Sequence, residues 1–477
     1  MKRLLLHQGG SRRRTFPSGP TRGPLSGALI GRLTDARVPE PDDLHDFHSR
    51  RRAAIQLRAA VLVLGLAGVL AVTAVVIAGN NGTTSTVGSG AVKLRPVDGG
   101  RAYYARFPRS LPPRESYFPI GVWLESVVSP ADAARDKRAG LNTYVALTAN
   151  SRLPVVAAHG MKVIAQYDEW VDRADGPGSN AIAGWLLADE IDMQVSPRDG
   201  FAELKSARRK LPPDDGRLVY NNFGKGVAFW NSENAAARYV REFQDVVSAD
   251  TYWFTDGNIC GLGEGGGQRG VVKQRSCGLA ANYGWTVRRV RRLLRPARSK
   301  PVWSFVEVGQ PFSEADRPSI TPAQVRAATW SGLINGARGV VYFNHSFGGP
   351  APTQHALREP AYAAVRSVVT RTNALIRRLA PVLNAPFADG LASTTAAVDT
   401  MAKYYRGSFY LFAGSRAAGR QSATFWIPCV GDATVKVIDE DRTVRLTEGA
   451  FTDSFANGNA VHIYRIDGGS DCGVDAG

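Results

Sequence analysis

With 477 residues, 44% of them hydrophobic, the chain can bury a sizeable core and is too long for one ordinary domain. Its net charge of +17 is unevenly placed, because residues 1–58 hold 12 Lys/Arg against 5 Asp/Glu. Such a balance suits a membrane face, an anionic polymer or nucleic acid. The chain has no recognition helix, RNP-like aromatic set or zinc-finger spacing, so nucleic acid is not an expected partner.

In chain order, residues 1–58 are rich in Gly, Pro, Ser and Arg without sustained periodicity and read as a disordered, basic cytoplasmic tail. Residues 59–78, AAVLVLGLAGVLAVTAVVIA, carry no charge over 20 positions, enough to span a hydrocarbon core of roughly 30 Å. Arg50, Arg51, Arg52 and Arg58 lie immediately before this run. The positive-inside rule then keeps the N-terminus cytoplasmic and exports the rest, giving a single-pass, signal-anchored plasma-membrane protein. A cleaved signal peptide is the alternative, but its apolar region would be shorter and its leader far shorter than 58 residues. Residues 79–116 follow as linker and lead-in, opening on the Gly/Ser/Thr-rich stretch 79–91. All the cysteines lie beyond the span. Their spacing suggests the local bridges Cys260–Cys277 and Cys429–Cys472, the simplest of the possible connectivities.

From residue 117 to 380 short β-rich runs alternate with amphipathic segments. The strand candidates are 118–123, 142–147, 162–167, 182–188, 218–221, 246–252, 302–306 and 339–343. Ser129-Pro130 opens a helix that Gly140 closes, Gly160 ends another, and Thr321-Pro322 with Gln324 has the form of a capping box. The third unit is short, since 170–180 leaves little room for a helix. Eight β/α units of this kind predict a closed (β/α)8 TIM barrel. The sixth unit carries an insertion whose GLGEGGGQRG contains GxGxxG at Gly261, Gly263 and Gly266. It lies between two cysteines in a polar stretch rather than at a strand-to-helix turn, so a disulfide-closed rim loop is expected and a dinucleotide is not. Residues 381–477 switch to strand runs at 408–412, 423–427, 434–438, 442–446 and 460–466 with no helices between them. This predicts an antiparallel β-sandwich that packs on the barrel.

Catalytic groups of such barrels sit at the C-terminal ends of the strands. The residues delivered there are Trp123 and Glu125, Asp168 and Glu169, Asp189 and Glu190, Asn221 and Asn222, Asp250, Tyr252 and Trp253, Glu307, and Tyr342, Asn344 and His345. Carboxylates, amides and aromatics in one crevice suit a sugar, whose ring faces stack on aromatics while its hydroxyls take polar partners. Trp123 and Trp185 lie within apolar runs and are expected in the core, and Asp192 is expected to cap or turn the loop that follows it. No HExxH, GxSxG or Walker loop is present, so neither a catalytic metal nor a cofactor is expected.

Glu190 and Glu307, at the ends of the fourth and seventh strands, resemble the acid/base and nucleophile of the retaining glycoside hydrolases of clan A, the barrel group that includes cellulases and β-galactosidases. The clan commonly has Asn before the acid/base, where this chain has Asp189. Its strand-6 Tyr is matched by Tyr252 and its strand-8 aromatic by Tyr342. The resemblance covers 117–379. It implies an enzyme that cleaves or transfers glycosidic bonds, with Glu190 and Glu307 catalytic; joined to the anchor read from 59–78, the expected protein is membrane-anchored and extracytoplasmic and acts on an envelope or extracellular glycan. Asp189, Asp168, Asn222, Tyr252, Trp253, Tyr342, Asn344 and His345 would meet the substrate, and Tyr252 or Asn222 would support Glu307. The competing expectation is a barrel that binds envelope polysaccharide without cleaving it.

Overall fold

The computed structural model describes residues 92–261, 264, 276–313, 318–468 and 472–474. The tail, the apolar stretch 59–78 and the linker 79–91 lie outside the described residues. Among the described residues no helix is long and apolar enough to cross a membrane.

After a short strand β1 (Lys93–Arg95), the chain lays down β2 (Ile120–Glu125), β3 (Thr143–Leu147), β4 (Lys162–Gln166), β5 (Ile182–Asp189), β6 (Leu218–Phe223), β7 (Val246–Ala249), β8 (Val302–Glu307) and β9 (Val340–Phe343). These last eight form one closed parallel barrel in sequence order. The intervening helices are α1 (Pro130–Arg138), α2 (Leu153–Ala158), α3 (Tyr167–Trp170), α4 (Pro197–Arg209), α5 (Glu233–Glu242), α6 (Ala281–Leu293), α7 (Pro322–Ile334) and α8 (Ala363–Arg378). The eight runs counted in the sequence are these strands, with ends displaced by a few residues. Full capping boxes start α1 at Ser129/Asp132 and α7 at Thr321/Gln324, each followed by Pro at the first turn. The third unit is reduced to the single-turn α3 and a 3₁₀ turn.

Side chains alternate along each strand. On β8, Trp303 and Phe305 face the barrel interior with Trp123, Leu218, Tyr220 and Phe343, whereas Val302 and Val306 join the outer core beneath the helices. The alternation carries Glu307 to the inner side at the C-terminal rim. The opposite end of the barrel is closed by the lead-in. Tyr104 and Leu111 belong to the interior core, the Trp303 indole donates to the Tyr104 hydroxyl (3.3 Å), and the Tyr103 hydroxyl donates to the Asp245 carbonyl (2.6 Å). The interior is thus a packed core, closed at the end opposite the C-terminal strand ends.

The C-terminal domain comprises β10 (Phe387–Asp389), β11 (Val398–Tyr405), β12 (Ser408–Ser415), β13 (Gln421–Trp426), β14 (Ala433–Val437), β15 (Arg442–Leu446), β16 (Ala450–Phe455) and β17 (Val461–Asp467). One sheet has the order β1-β10-β11-β12-β17-β14-β15, and β13 pairs with β16 in a second. The two share a core that includes Phe409, Phe425, Phe451 and Tyr464. Against the barrel, Phe412 stacks on Trp330 of α7 (5.9 Å, 28° between planes), and Ile463 and Val461 enter the barrel's outer core. Both expected disulfides are present, Cys260–Cys277 and Cys429–Cys472.

The lead-in is not simply a linker, as its residues 93–95 form an edge strand of the C-terminal sheet. β1 runs antiparallel to β10, the Arg95 guanidinium chelates Asp389, and the Val92 N–H donates to the Cys472 carbonyl (3.2 Å). A chain that starts at residue 85 keeps this strand and one that starts at residue 96 lacks it. The shorter chain is expected to melt lower, by roughly 1 °C for each kcal/mol of lost pairing in a chain of this length. Equal melting temperatures in calorimetry would show that β1 contributes nothing.

Candidate active site

The rim at the C-terminal strand ends gathers acidic side chains from β5, β7 and β8. On the inner face a polar chain links neighbouring strands. The Tyr220 hydroxyl meets Ser248 Oγ, Ser248 Oγ donates to Asn222 Oδ1 (2.6 Å), and Asn222 Nδ2 donates to Asp189 Oδ1 (3.0 Å). This order fixes the Asn222 amide and aims its N–H at the Asp189 carboxyl oxygen. Tyr252 donates to Asp250 Oδ2 (2.7 Å), and its phenol is held well above its usual range by burial and by the charges of Asp250, Glu190 and Asp189. These groups therefore share one neighbourhood at the mouth.

Glu190 immediately follows β5, past an irregularity in the β5–β6 register. Its backbone is left-handed (φ 49°, ψ 32°), a conformation that costs a non-glycine residue roughly 1–2 kcal/mol. The turn is held by its N–H to the Asn222 carbonyl (2.9 Å) and by its own carbonyl, which accepts the Met193 N–H (3.0 Å). Its side chain is nearly buried, at 8% exposure. Asp192, two residues on, does not cap its own loop as expected. It reaches to the next one, accepting the N–H groups of Gly224 (3.0 and 3.2 Å) and Val227 (2.6 Å). A Cβ at Gly226 would stand 2.3 Å from the Asp192 carbonyl oxygen, so only glycine allows this approach. Burial first, and the Glu190 charge among lesser causes, raises the Asp192 carboxyl to about 7.

Glu307 ends β8 with 0% exposure. Its Oε1 accepts hydrogen bonds from the Tyr283 hydroxyl of α6 (2.6 Å) and from Thr255 Oγ1 (3.0 Å). Its Oε2 is buried and has no hydrogen-bond partner among the described residues. Burial raises this carboxyl to about 7 despite the donors. The Phe254 N–H in turn donates to the Tyr283 hydroxyl (3.2 Å), so the segment after β7 organises both donors.

Several expected contacts are corrected by these positions. Tyr252 and Asn222 do not support Glu307, because their donors are committed to Asp250 and Asp189. Tyr283 and Thr255 do, and sequence reading missed both because they stand on either side of the sixth-unit insertion 256–281, so no local pattern brings them together. Trp253 points outward, its indole donating to Thr286 Oγ1 (2.9 Å) among Phe229 and Trp285. Tyr342 also points outward, donating to Asn373 Oδ1 of α8 (2.8 Å), as expected of an even step from the outward Val340. Asn344 is consumed by Glu125 Oε2 and the Leu357 N–H, part of a buried cluster in which Glu125 and Asp136 meet Arg358. His345 stays at the mouth, its ring tilted against that of Phe343 (5.4 Å, 51° between planes) with its Nε2 3.1 Å from the Leu124 carbonyl oxygen. Asp168 is exposed on α3, at the outer rim.

Fold and site together define a closed eight-stranded parallel β/α barrel with oriented carboxylates at the C-terminal ends of its strands and a β domain packed on it. No family model and no curated protein matches the chain. Solved structures similar to it include one titled "Glycoside hydrolase" (13% identity, TM-score 0.48, covering 75% of this chain and 94% of that one). Others are a glycoside hydrolase family 5 protein from Bacteroides vulgatus (13%, 0.47, 75% and 91%) and an alpha-amylase from Geobacillus thermoleovorans complexed with acarbose (9%, 0.47, 74% and 99%). Likeness of this order decides neither reaction nor substrate.

Because the folded protein holds the Glu307 proton up to about 7, against 4.5 for an ordinary glutamate, this group's contribution to stability is complete at low pH and is lost as pH rises through about 7. Glu307→Gln removes that loss. Between pH 5 and pH 8 the wild-type protein should lose up to about 3 kcal/mol more unfolding free energy than the variant. Parallel denaturant titrations at the two pH values check this, and identical pH dependence would contradict it.

Proposed function

We propose that this chain is a membrane-anchored, extracytoplasmic glycoside hydrolase that cleaves or transfers glycosidic bonds of an envelope or extracellular glycan by a two-glutamate retaining mechanism. The observation that carries this reading is Glu307. It is a buried carboxyl at the end of β8, with one oxygen gripped by two hydroxyl donors and the other without a hydrogen-bond partner among the described residues, which suits a group that attacks an anomeric carbon. The anchor and the exported location rest on the uncharged run 59–78 and the arginines before it.

In this mechanism Glu190 gives its proton to the leaving oxygen while Glu307 Oε2 forms the bond to the anomeric carbon. Glu190 then takes a proton from the water that breaks that ester. Tyr283 and Thr255 hold the attacking carboxylate in place. Tyr252, on Asp250, stands among the acidic groups of the mouth with Asp189 and Asn222, where sugar hydroxyls need polar partners.

The raised Glu307 carboxyl favours a second reading in which the roles are exchanged and Glu307 is the acid. The sign of the pH profile separates them. With Glu307 as nucleophile, kcat/KM rises with pH through about 7; with Glu307 as acid, it falls there. Tyr283→Phe removes a donor to the ionised form, so that limb should move to higher pH in either case.

The reaction itself is tested with the full-length chain on aryl glycosides and envelope polysaccharides. Glu190→Gln and Glu307→Gln should each lower turnover by a factor of about 10³ or more while ligand binding persists. Mass spectrometry should find a glycosyl adduct on Glu307. A protein that binds glycan, turns none over and is indifferent to both substitutions would be a non-catalytic polysaccharide-binding barrel.

A further inference from the structure

Singly exposed apolar side chains are ordinary on a protein surface. Their placement here is not scattered. Of the four exposed large hydrophobic residues among the described residues, Trp230 (44%), Phe347 (40%) and Val128 (46%) lie on loops at the catalytic rim, and only Trp426 (42%) lies elsewhere, on β13. Trp230 closes the π-helical turn Gly226–Trp230 after β6, the strand next to the one that delivers Glu190. Phe347 follows β9, the strand next to the one that delivers Glu307. Each candidate catalytic carboxylate thus has an exposed aromatic ring on the neighbouring loop.

Both rings stand on fixed supports. The Trp230 turn is the one held by Asp192 through the N–H groups of Gly224 and Val227. Its Lys225 lies 6.0 Å from the indole centroid and is ion-paired to Asp256 and Glu264 of the loop after β7. Phe347 donates its N–H to the Gln310 carbonyl of the loop after β8 (2.8 Å) and sits edge-on to His345 (6.3 Å). Three strand steps around an eight-stranded ring separate the two loops, roughly 14 Å at strand level. A single sugar ring cannot meet both, whereas a chain of several sugars lying across the mouth can.

We propose that the substrate is a polymeric glycan that lies across the mouth and is cut within the chain, with Trp230 and Phe347 serving as stacking platforms for sugars on either side of the scissile bond. This rests on the glycosidase reading above and specifies its substrate class. Aromatic faces fixed in advance contribute affinity without an ordering cost, which suits repeated sugar units.

The test uses the full-length protein. Affinity electrophoresis of Glu307→Gln through gels containing xylan, laminarin, arabinogalactan or amylose should show retardation by at least one of them. Adding Trp230→Ala or Phe347→Ala should weaken that retardation about tenfold in apparent Kd, and Trp426→Ala should leave it unchanged. In the catalytically intact protein, Trp230→Ala should lower the ratio of kcat/KM on the retarding polymer to that on an aryl monoglycoside by about tenfold. Products from the polymer should be mixed oligosaccharides. Retardation by none of the polymers, retardation indifferent to both rim substitutions, or release of monosaccharide alone overturns the proposal. If aryl glycoside turnover depends on Glu190 and Glu307 while the rim substitutions have no effect, the hydrolase reading stands and this inference falls. If the rim substitutions abolish retardation but nothing is turned over, the hydrolase reading and internal cleavage both fall, and only the stacking roles of Trp230 and Phe347 survive.

Discussion

The arrangement depends on one electrostatic compromise. A carboxylate buried at the end of β8 is disfavoured as an anion, and the hydroxyls of Tyr283 and Thr255 offset only part of that cost, leaving Glu307 poised near neutrality. Neither donor comes from a barrel strand. Tyr283 sits in the first turn of α6 and Thr255 in the segment that leads to the Cys260–Cys277 bridge. The state of Glu307 is therefore set by the two segments that flank the sixth-unit insertion rather than by the strands themselves.

The rest of the molecule can be understood as holding that rim still. The opposite end of the barrel is plugged by Tyr104 and Leu111, and α7 is clamped from outside where Trp330 meets Phe412. Glu125, Asn344, Arg358 and Asp136 tie the C-terminal ends of β2 and β9 to α1 in a buried polar cluster. Left-handed backbone at Glu190 places strain at the candidate acid itself, a departure from local preference that the packed surroundings over-determine.

The barrel was legible because its strands are apolar runs with clean helix punctuation: Ser129-Pro130 and Thr321-Pro322 form the capping boxes that their residues predict. The positions of Glu190 and Glu307 followed from counting strands. Side-chain direction was less readable. Tyr342 and Trp253 fall just where a mouth residue is expected, yet strand parity turns the former outward and the Thr286 hydroxyl captures the latter. Asn344 is polar and near a strand end, but the buried charge of Glu125 claims it. The partners of Glu307 were out of reach because a long insertion separates them in sequence. The edge strand at 93–95 was hidden because three residues carry no periodicity and their pairing partner lies nearly 300 positions away.

That distant pairing brings together the two ends of the described part of the chain, since the Val92 amide is bonded to the Cys472 carbonyl. The polypeptide from 92 to 472 is topologically close to a ring. Its order of synthesis is consequently a convention that the core does not need: joined at that point by a short peptide, it could be reopened at another surface loop, as circular permutants are, and still assemble the same barrel and sheet.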